Sequence, residues 1–422
     1  MMSPRRATIA DIVSQFAENC SALWEQRELA AMTLPGGSLD ALDDLDGRID
    51  AQLEGLRANG PDGRRAAAEA LVLESAGEIF TAAVLAFEEE DEKPFEAAFD
   101  QVLAAAAKPH EAVRSLSVAL DWISPEQFSR ARDRLAAYES HLVRAAVLAG
   151  SAMRGGECGP AIRCALQSDC TYVLHAACWA AARLGQRAAA PLIESRLDVK
   201  DKECRCAAAR AGLLLGSPSA DGVLRQLARE NSAAAETLFR SLSPTEALHT
   251  HAELYSGRET SRPALMAAGA AGIPGLIPHL LSAMEERPAA RIAAASLCSI
   301  TGIDLEKEGL AAAHSEDYSA GADDDPESDE IAGDPDEGLP WPNAASIREW
   351  WGKRSSAFSP VAKYLAGAPI ADDALRSLLR GGPQRRRAAA AELFALSGRP
   401  LFDVGAPAFR QHARLATEAI WR

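Results

Sequence analysis

Six cysteines fall between positions 158 and 206: Cys158, Cys164, Cys170, Cys178, Cys204 and Cys206. Zinc sites usually take such residues in pairs two to four apart. Only Cys204 and Cys206 come that close, and a two-residue step on a helix turns two side chains away from each other. These thiols read as reduced and structural, with Cys164, Cys178 and Cys206 on segments expected to be packed. A metal or redox role is left to Cys158, Cys170 and His175. His249 and His251, with Glu253 nearby, have the same two-residue spread. The His-Glu-x-x-His helix of a metalloprotease is missing, and so are a Gly-x-Ser-x-Gly elbow, a phosphate-cradling glycine loop and a dinucleotide fingerprint. The chain therefore offers no convergent catalytic set, and we expect no cofactor, no metal and no enzyme.

Two clusters suit binding better than catalysis. The run GGPQRRR (381–387) makes, with Arg376 and Arg380, a local basic patch of Arg376, Arg380, Arg385, Arg386 and Arg387. An anionic partner or the chain's own acidic stretch could sit there, although arginines at helix ends can also be merely solvated. Trp341, Trp350 and Trp351 lie within eleven residues in a chain with seven tryptophans. They could form an aromatic docking patch, as tryptophan does at binding hot spots, or reseal a core that the preceding insertion has broken. From Ser315 to Glu337 there are eleven acids and no Lys or Arg. That run lacks the glycine and the final glutamate of a calcium-binding EF-hand loop, so we read it as a solvated acidic insertion.

The elements that must position these residues repeat. Segments such as AVRSLSVALDWIS, LVRAAVLAGSAMRG, YVLHAACWAAARLG, ECRCAAARAGLLLG and AARIAAASLCSITG are apolar, alanine-rich helices. With Arg114, Arg144, Leu174, Arg205, Ala233, Arg262 and Arg291 taken as equivalent, the steps are 30, 30, 31, 28, 29 and 29. Between them lie second helices, entered through Ser, Gly or Pro, with Leu, Ile, Val or Phe at three- and four-residue steps. Gly155, Gly185, Gly216 and Gly272 fit helix C-termini with positive φ. A pair of thirty residues cannot bury its apolar stripe alone, whereas stacking on neighbours gives a continuous core. The fold class expected is all-α, a right-handed superhelical solenoid of helix pairs with an acidic loop insertion.

Composition agrees. Apolar residues make up 48% of 422 residues and aromatics 5%, which excludes a wholly disordered chain. Sixty acidic against 44 basic residues give a net charge of −16, which argues against a broad basic face for nucleic acid or anionic membrane. The N-terminus carries no apolar stretch of signal-peptide length, and no charge-free window of transmembrane length appears, so a cytoplasmic location is expected.

The repeat resembles HEAT-like repeats of the short bacterial kind also seen in phycobilisome lyases, over roughly 60–302 and again at 371–398. The tract WPNAASIREWWGKR, with YLAGAPI, RRRAAAAELFALSG and LFDVGAPAFRQ, is similar to an uncharacterised proteobacterial family often encoded in type VI secretion gene clusters. That resemblance brings no catalytic residues with it. It implies a scaffold whose protein partner is a secretion-system component, an effector or an immunity counterpart. The organisation expected is an N-terminal helical cap (1–58), a HEAT-like array (59–302), the acidic insertion with its Trp/Pro turn (303–345), and C-terminal helices with a further repeat (346–422). Within the cap, Ser38 should start a helix bearing the stripe Leu39, Leu42, Leu45, Ile49 and Leu53. The alternative is an enzyme on the same scaffold: a bilin lyase, which the Cys-rich tract keeps open, or a DNA glycosylase, which the charge disfavours.

Overall fold

The computed structural model describes residues 9–32, 37–312, 334 and 336–417. The acidic run lies outside these except for Asp334, Asp336 and Glu337. The protein is all-α, with twenty-two α-helices and one two-stranded ribbon among the described residues. None of the helices is long and apolar enough to cross a membrane.

The thirty-residue period runs on past position 217, but the packing divides there into two compact units. The first holds α1 (Ile9–Met32), α2 (Leu39–Ala58), α3 (Pro61–Ala70), α4 (Ala76–Glu88), α5 (Glu92–Ala104), α6 (Pro109–Trp122), α7 (Pro125–Leu135), α8 (His141–Met153), α9 (Gly159–Ala165), α10 (Thr171–Arg183), α11 (Ala190–Glu194) and α12 (Lys202–Leu214). Helices α1, α4, α6, α8, α10 and α12 pack one on the next as a row, and α5, α7, α9 and α11 lie against that row. Row helices are covered on more than one side, so they bury nearly everything they carry: all eleven residues from Gly77 to Phe87 of α4 are buried. Ser38 caps α2 by accepting from Ala41 N–H, as expected. The stripe of α2 differs by one position. Asp46 is buried in it, with Leu39, Leu42, Ile49, Leu53 and Leu56, while Leu45 is only half-buried.

The second unit holds α13 (Ser219–Leu227), α14 (Ser232–Ser241), α15 (Pro244–Leu254), α16 (Arg262–Ala271), α17 (Ile277–Ala283), α18 (Arg287–Thr301), α19 (Ala344–Arg354), β1 (Tyr364–Leu365), β2 (Ala368–Pro369), α20 (Asp372–Gly381) and α21 (Gln384–Leu396). Here α14, α16 and α18 form the row, and α20 and α21 pair as a hairpin whose α21 touches α14. The two ends of the acidic insertion are tied together. Ala312 N–H donates to Trp341 O at 2.7 Å, and Asn343 N–H to Leu310 O at 2.8 Å. Chain 397–417, with α22 (Ala408–Leu415), belongs to the first unit.

Most row helices stop in one of two ways. Gly155, Gly185, Gly216 and Gly272 take positive φ, as the sequence predicts. At Gly272 and Gly302 close approach adds to this requirement, because a Cβ would lie 2.5 Å from Tyr364 O and 2.4 Å from Ala366 O. The β1–β2 turn rests on those helix ends: Tyr364 N–H donates to Gly272 O, and Ala366 N–H to Ser299 O, both at 2.7 Å. By contrast, α6 and α14 run into Ser-Pro, with no glycine. Ser124 and Ser243 start the next helices through capping boxes with Gln127 and Glu246. The carbonyls that α6 and α14 leave open are met by cations, Arg154 and Lys363 respectively.

Candidate functional site

In the first unit, arginines on the row helices, and Arg187 just beyond α10, hold the chain of 397–417. Arg27 is fully buried. Its guanidinium donates to Asp46 Oδ1 (3.0 Å), Glu28 Oε1 (2.7 Å), Gly405 O (2.7 Å) and Ala406 O (2.6 Å). Arg114 bridges Glu28 Oε2 (2.7 Å) and Gly405 O (2.9 Å). Arg187 reaches Gly398 O at 3.3 Å and Arg183 reaches Leu401 O at 3.4 Å. An irregular segment has no ladder to satisfy its carbonyls, and the planar fork of arginine can serve two acceptors at once. Asp46 Oδ2 completes the clasp by accepting from Ala408 N–H at the start of α22.

The charges here are unevenly matched. Burial alone would raise Glu28, but Arg114 and Arg27 outweigh it and hold its carboxyl below the usual range. Asp121, on α6, is fully buried, and neither of its oxygens has a hydrogen-bond partner. Arg410 Nε lies 3.0 Å and Arg154 Nη1 3.9 Å from Asp121 Oδ1. Burial dominates all the same, pushing the Asp121 carboxyl up to about 6. Arg154, Arg183, Asp403, Arg410 and Arg414 line an adjacent cleft of about 410 Å³. A larger cleft of about 560 Å³, bordered by Phe128, Arg132, Tyr138, Arg144 and Cys158, lies among α7, α8 and α9.

In the second unit the same register is used again. Arg262 Nη1 donates to Asp336 Oδ1 at 2.6 Å, and Arg291 donates to Asp336 O at 2.8 Å while pairing with Asp334. The described end of the acidic insertion is therefore held by row-helix arginines rather than by the GGPQRRR run.

That run does not form one surface. Consecutive helix positions are about 100° apart, so its arginines point three ways. Arg387 is fully buried, donating to Leu379 O at 2.8 Å and to Gln384, so it does not belong to a surface patch. Arg386 donates to Cys298 O at 3.1 Å, near the end of α18. Arg385 is half-buried, 3.8 Å from Glu236. Arg376 lies beside Asp372 and Asp373 on its own helix, and Arg380 is exposed. The three tryptophans are all half-buried and have different neighbours. Trp341 lies under the Arg291 guanidinium (4.6 Å), Trp350 under that of Arg354 (5.0 Å), and Trp351 packs on Phe358 (5.2 Å).

All eight cysteines are free. Cys178 and Cys206 are buried as expected, but Cys164 is exposed, because it falls on the outer side of the short helix α9. Cys158 is buried, Cys170 is partly covered, and His175 lies beside His110 with its pKa lowered by burial and by that neighbour. No three His, Cys, Asp or Glu side chains come together to hold a metal among the described residues. His249 is exposed and paired with Glu253, whereas His251 is buried, its Nε2 3.0 Å from Ala264 O.

Arg27 and Asp46 escaped the reading of the sequence, yet both left a trace in it. Arg27 continues the buried stripe Cys20, Leu23, Trp24 at helical spacing, and Asp46 continues that of Leu39 and Leu42. A charge within an apolar stripe calls for a buried partner. Compared with protein-family models and with curated proteins, the chain matches none.

Proposed function

We propose that this protein is a non-enzymatic helical-repeat scaffold that binds a protein partner through extended chain. What carries this reading is one recurring arrangement. In each unit, arginines on row helices grip chain that is not part of the repeat, by its backbone carbonyls and carboxylates. A row that can hold its own irregular segments this way has the donors to hold another protein's. We further propose that the stacked pairs form a right-handed superhelical solenoid of HEAT-like type. On the resemblance noted above, the partner is a secretion-system component, an effector or its immunity counterpart. The outer positions Arg376 and Arg380, with Trp350 and Trp351, are the contact residues we would alter first.

The test is affinity purification of the tagged full-length protein from its native source, in parallel with an Arg376→Glu/Arg380→Glu variant and a Trp350→Ala variant. A protein retained in stoichiometric amount by the parent and lost by one of the variants is the expected outcome. If the parent retains no protein in stoichiometric amount, the scaffold reading fails.

A further inference from the structure

The second unit holds a cleft of about 250 Å³, bounded by α18, the turn that follows it, chain 338–340 and the start of α21. Three arginines line it, and they differ in what they have left to give. Arg291 is committed to Asp334 and to Asp336 O. Arg386 spends Nη2 on Cys298 O at 3.1 Å and Ile303 O at 3.5 Å. Arg385 makes no hydrogen bond among the described residues, although its side chain is only 16% exposed. The acid beside it, Glu236, stands 3.8 Å away, beyond hydrogen-bonding distance, and lies closer to Arg240 at 3.1 Å. None of the Arg385 nitrogens is sealed from solvent, so a molecule in the cleft can meet them. Burial lowers the pKa of Arg385, and Glu236 does not make up for this and for the repulsion of Arg240 and Arg262.

A guanidinium that is mostly out of water and gives none of its donors to the protein calls for an acceptor. The planar fork of arginine matches the two oxygens of a carboxylate. Ser299 lines the same cleft, and its hydroxyl is a further donor. Ala295, Ile303, Leu305, Leu339 and Pro383 make the rest of the wall apolar, which suits a short hydrocarbon body and leaves a bare inorganic anion uncovered. Asp304 and Glu306 stand at the exposed rim, Asp304 tied to Lys307 at 3.0 Å. These acids limit the charge the cleft accepts: Arg385 draws in one negative charge, and a second would meet the rim.

We propose that this cleft binds a small organic monocarboxylate, with its carboxylate on Arg385 and Ser299 and its hydrocarbon body against Ile303, Leu305 and Leu339. The site is independent of the scaffold function argued above, since it needs no protein partner.

Calorimetric titration of the full-length protein with butyrate, butanamide and inorganic phosphate, at low ionic strength and near neutral pH, tests it. Butyrate and butanamide share a shape and differ in charge. We expect butyrate to bind at millimolar concentration, at least about tenfold more tightly than butanamide, the effect of about one charge-assisted hydrogen bond. Phosphate, more highly charged and without hydrocarbon, should bind more weakly than butyrate. Arg385→Gln should lower butyrate affinity at least about tenfold. Glu306→Lys, at an exposed position, should raise it at least about threefold by turning rim repulsion into attraction. The proposal is overturned by no butyrate binding at millimolar concentration, by equal affinity for butyrate and butanamide, or by phosphate binding more tightly than butyrate. Parent-like affinity in a folded Arg385→Gln, or in Glu306→Lys, overturns it too. The rim variant locates the site even where Arg385→Gln folds poorly.

Discussion

Arg114 and Arg291 occupy the same register of the thirty-residue unit, and each holds a backbone carbonyl that its own repeat does not own. Arg114 donates to Gly405 O at 2.9 Å, and Arg291 to Asp336 O at 2.8 Å. The carbonyls come from unrelated segments, the C-terminal chain in one case and the end of the acidic insertion in the other. A repeat built for stacking thus carries a second capability at Arg114, Arg262 and Arg291, whereas Arg205 in the same register donates to Leu197 O, close to its own helix. Where the register holds Leu174 or Ala233, that donor is missing.

The cations that close α6 and α14 should matter more than any surface pair. Arg154 Nη1 lies 3.0–3.2 Å from three carbonyls at the end of α6, and Lys363 Nζ 2.8–3.2 Å from three at the end of α14. Arg154→Met and Lys363→Met should each cost about 2–4 kcal/mol in urea unfolding, since part-buried acceptors lose charged donors. Arg348→Met, which breaks an exposed pair with Glu285, should cost no more than about 0.5 kcal/mol. Comparable losses in all three would show that the carbonyls find water instead.

Asp121 imposes a pH dependence of definite sign. Its folded value of about 6 stands above the ordinary 3.8. Between those values the folded state binds more protons than the unfolded one, so this group's contribution to stability falls as pH rises from about 4 to about 6. The whole swing is at most about 3 kcal/mol. Asp121→Asn should lack it, and the difference in unfolding free energy between parent and variant should shift toward the variant over that window. A shift toward the parent would mean that Arg410 and Arg154 compensate the buried charge more fully than their geometry implies.

Two glycines with the same backbone conformation should respond differently to a methyl group. Gly216 has φ +87° and open space around its missing Cβ, whereas Gly272 has φ +69° and Tyr364 O 2.5 Å away. Gly216→Ala should cost about 1 kcal/mol, the conformational term alone. Gly272→Ala adds a clash with backbone and should cost about 3 kcal/mol or more, visible as an earlier urea midpoint.

The cysteines should separate kinetically. Burial pushes Cys20, Cys178 and Cys298 up to about 12, which leaves almost no thiolate near neutral pH. Cys164 is the exposed thiol among the eight. A colorimetric thiol titration of the native protein should show a fast phase that Cys164→Ser removes, with the buried thiols reacting only after denaturation. A fast phase that survives the substitution would point to local opening around Cys158 or Cys170.

How much was legible follows from where the information resides. Periodicity is local, so the alanine-rich helices, the positive-φ glycines and the Ser38 cap could all be read from residues within a few positions of one another. The all-α class follows for the same reason, because each helix writes its buried face at three- and four-residue steps. The site was harder to see. Arg385, Arg386 and Arg387 looked like one patch because they are adjacent in the chain, but a helix sends neighbours in different directions, and Arg387 ended in the core. Arg114 was legible only as a repeat position, and nothing local marked partners for Arg27, Asp46 and Asp121; only tertiary packing brought Gly405, Ala408 and Arg410 to them across roughly three hundred residues of chain. Which charge meets which carbonyl depends on long-range contacts that no local pattern encodes. The amino-acid order determined the helices and their stacking period, and the folded chain alone decided which arginines became clasps.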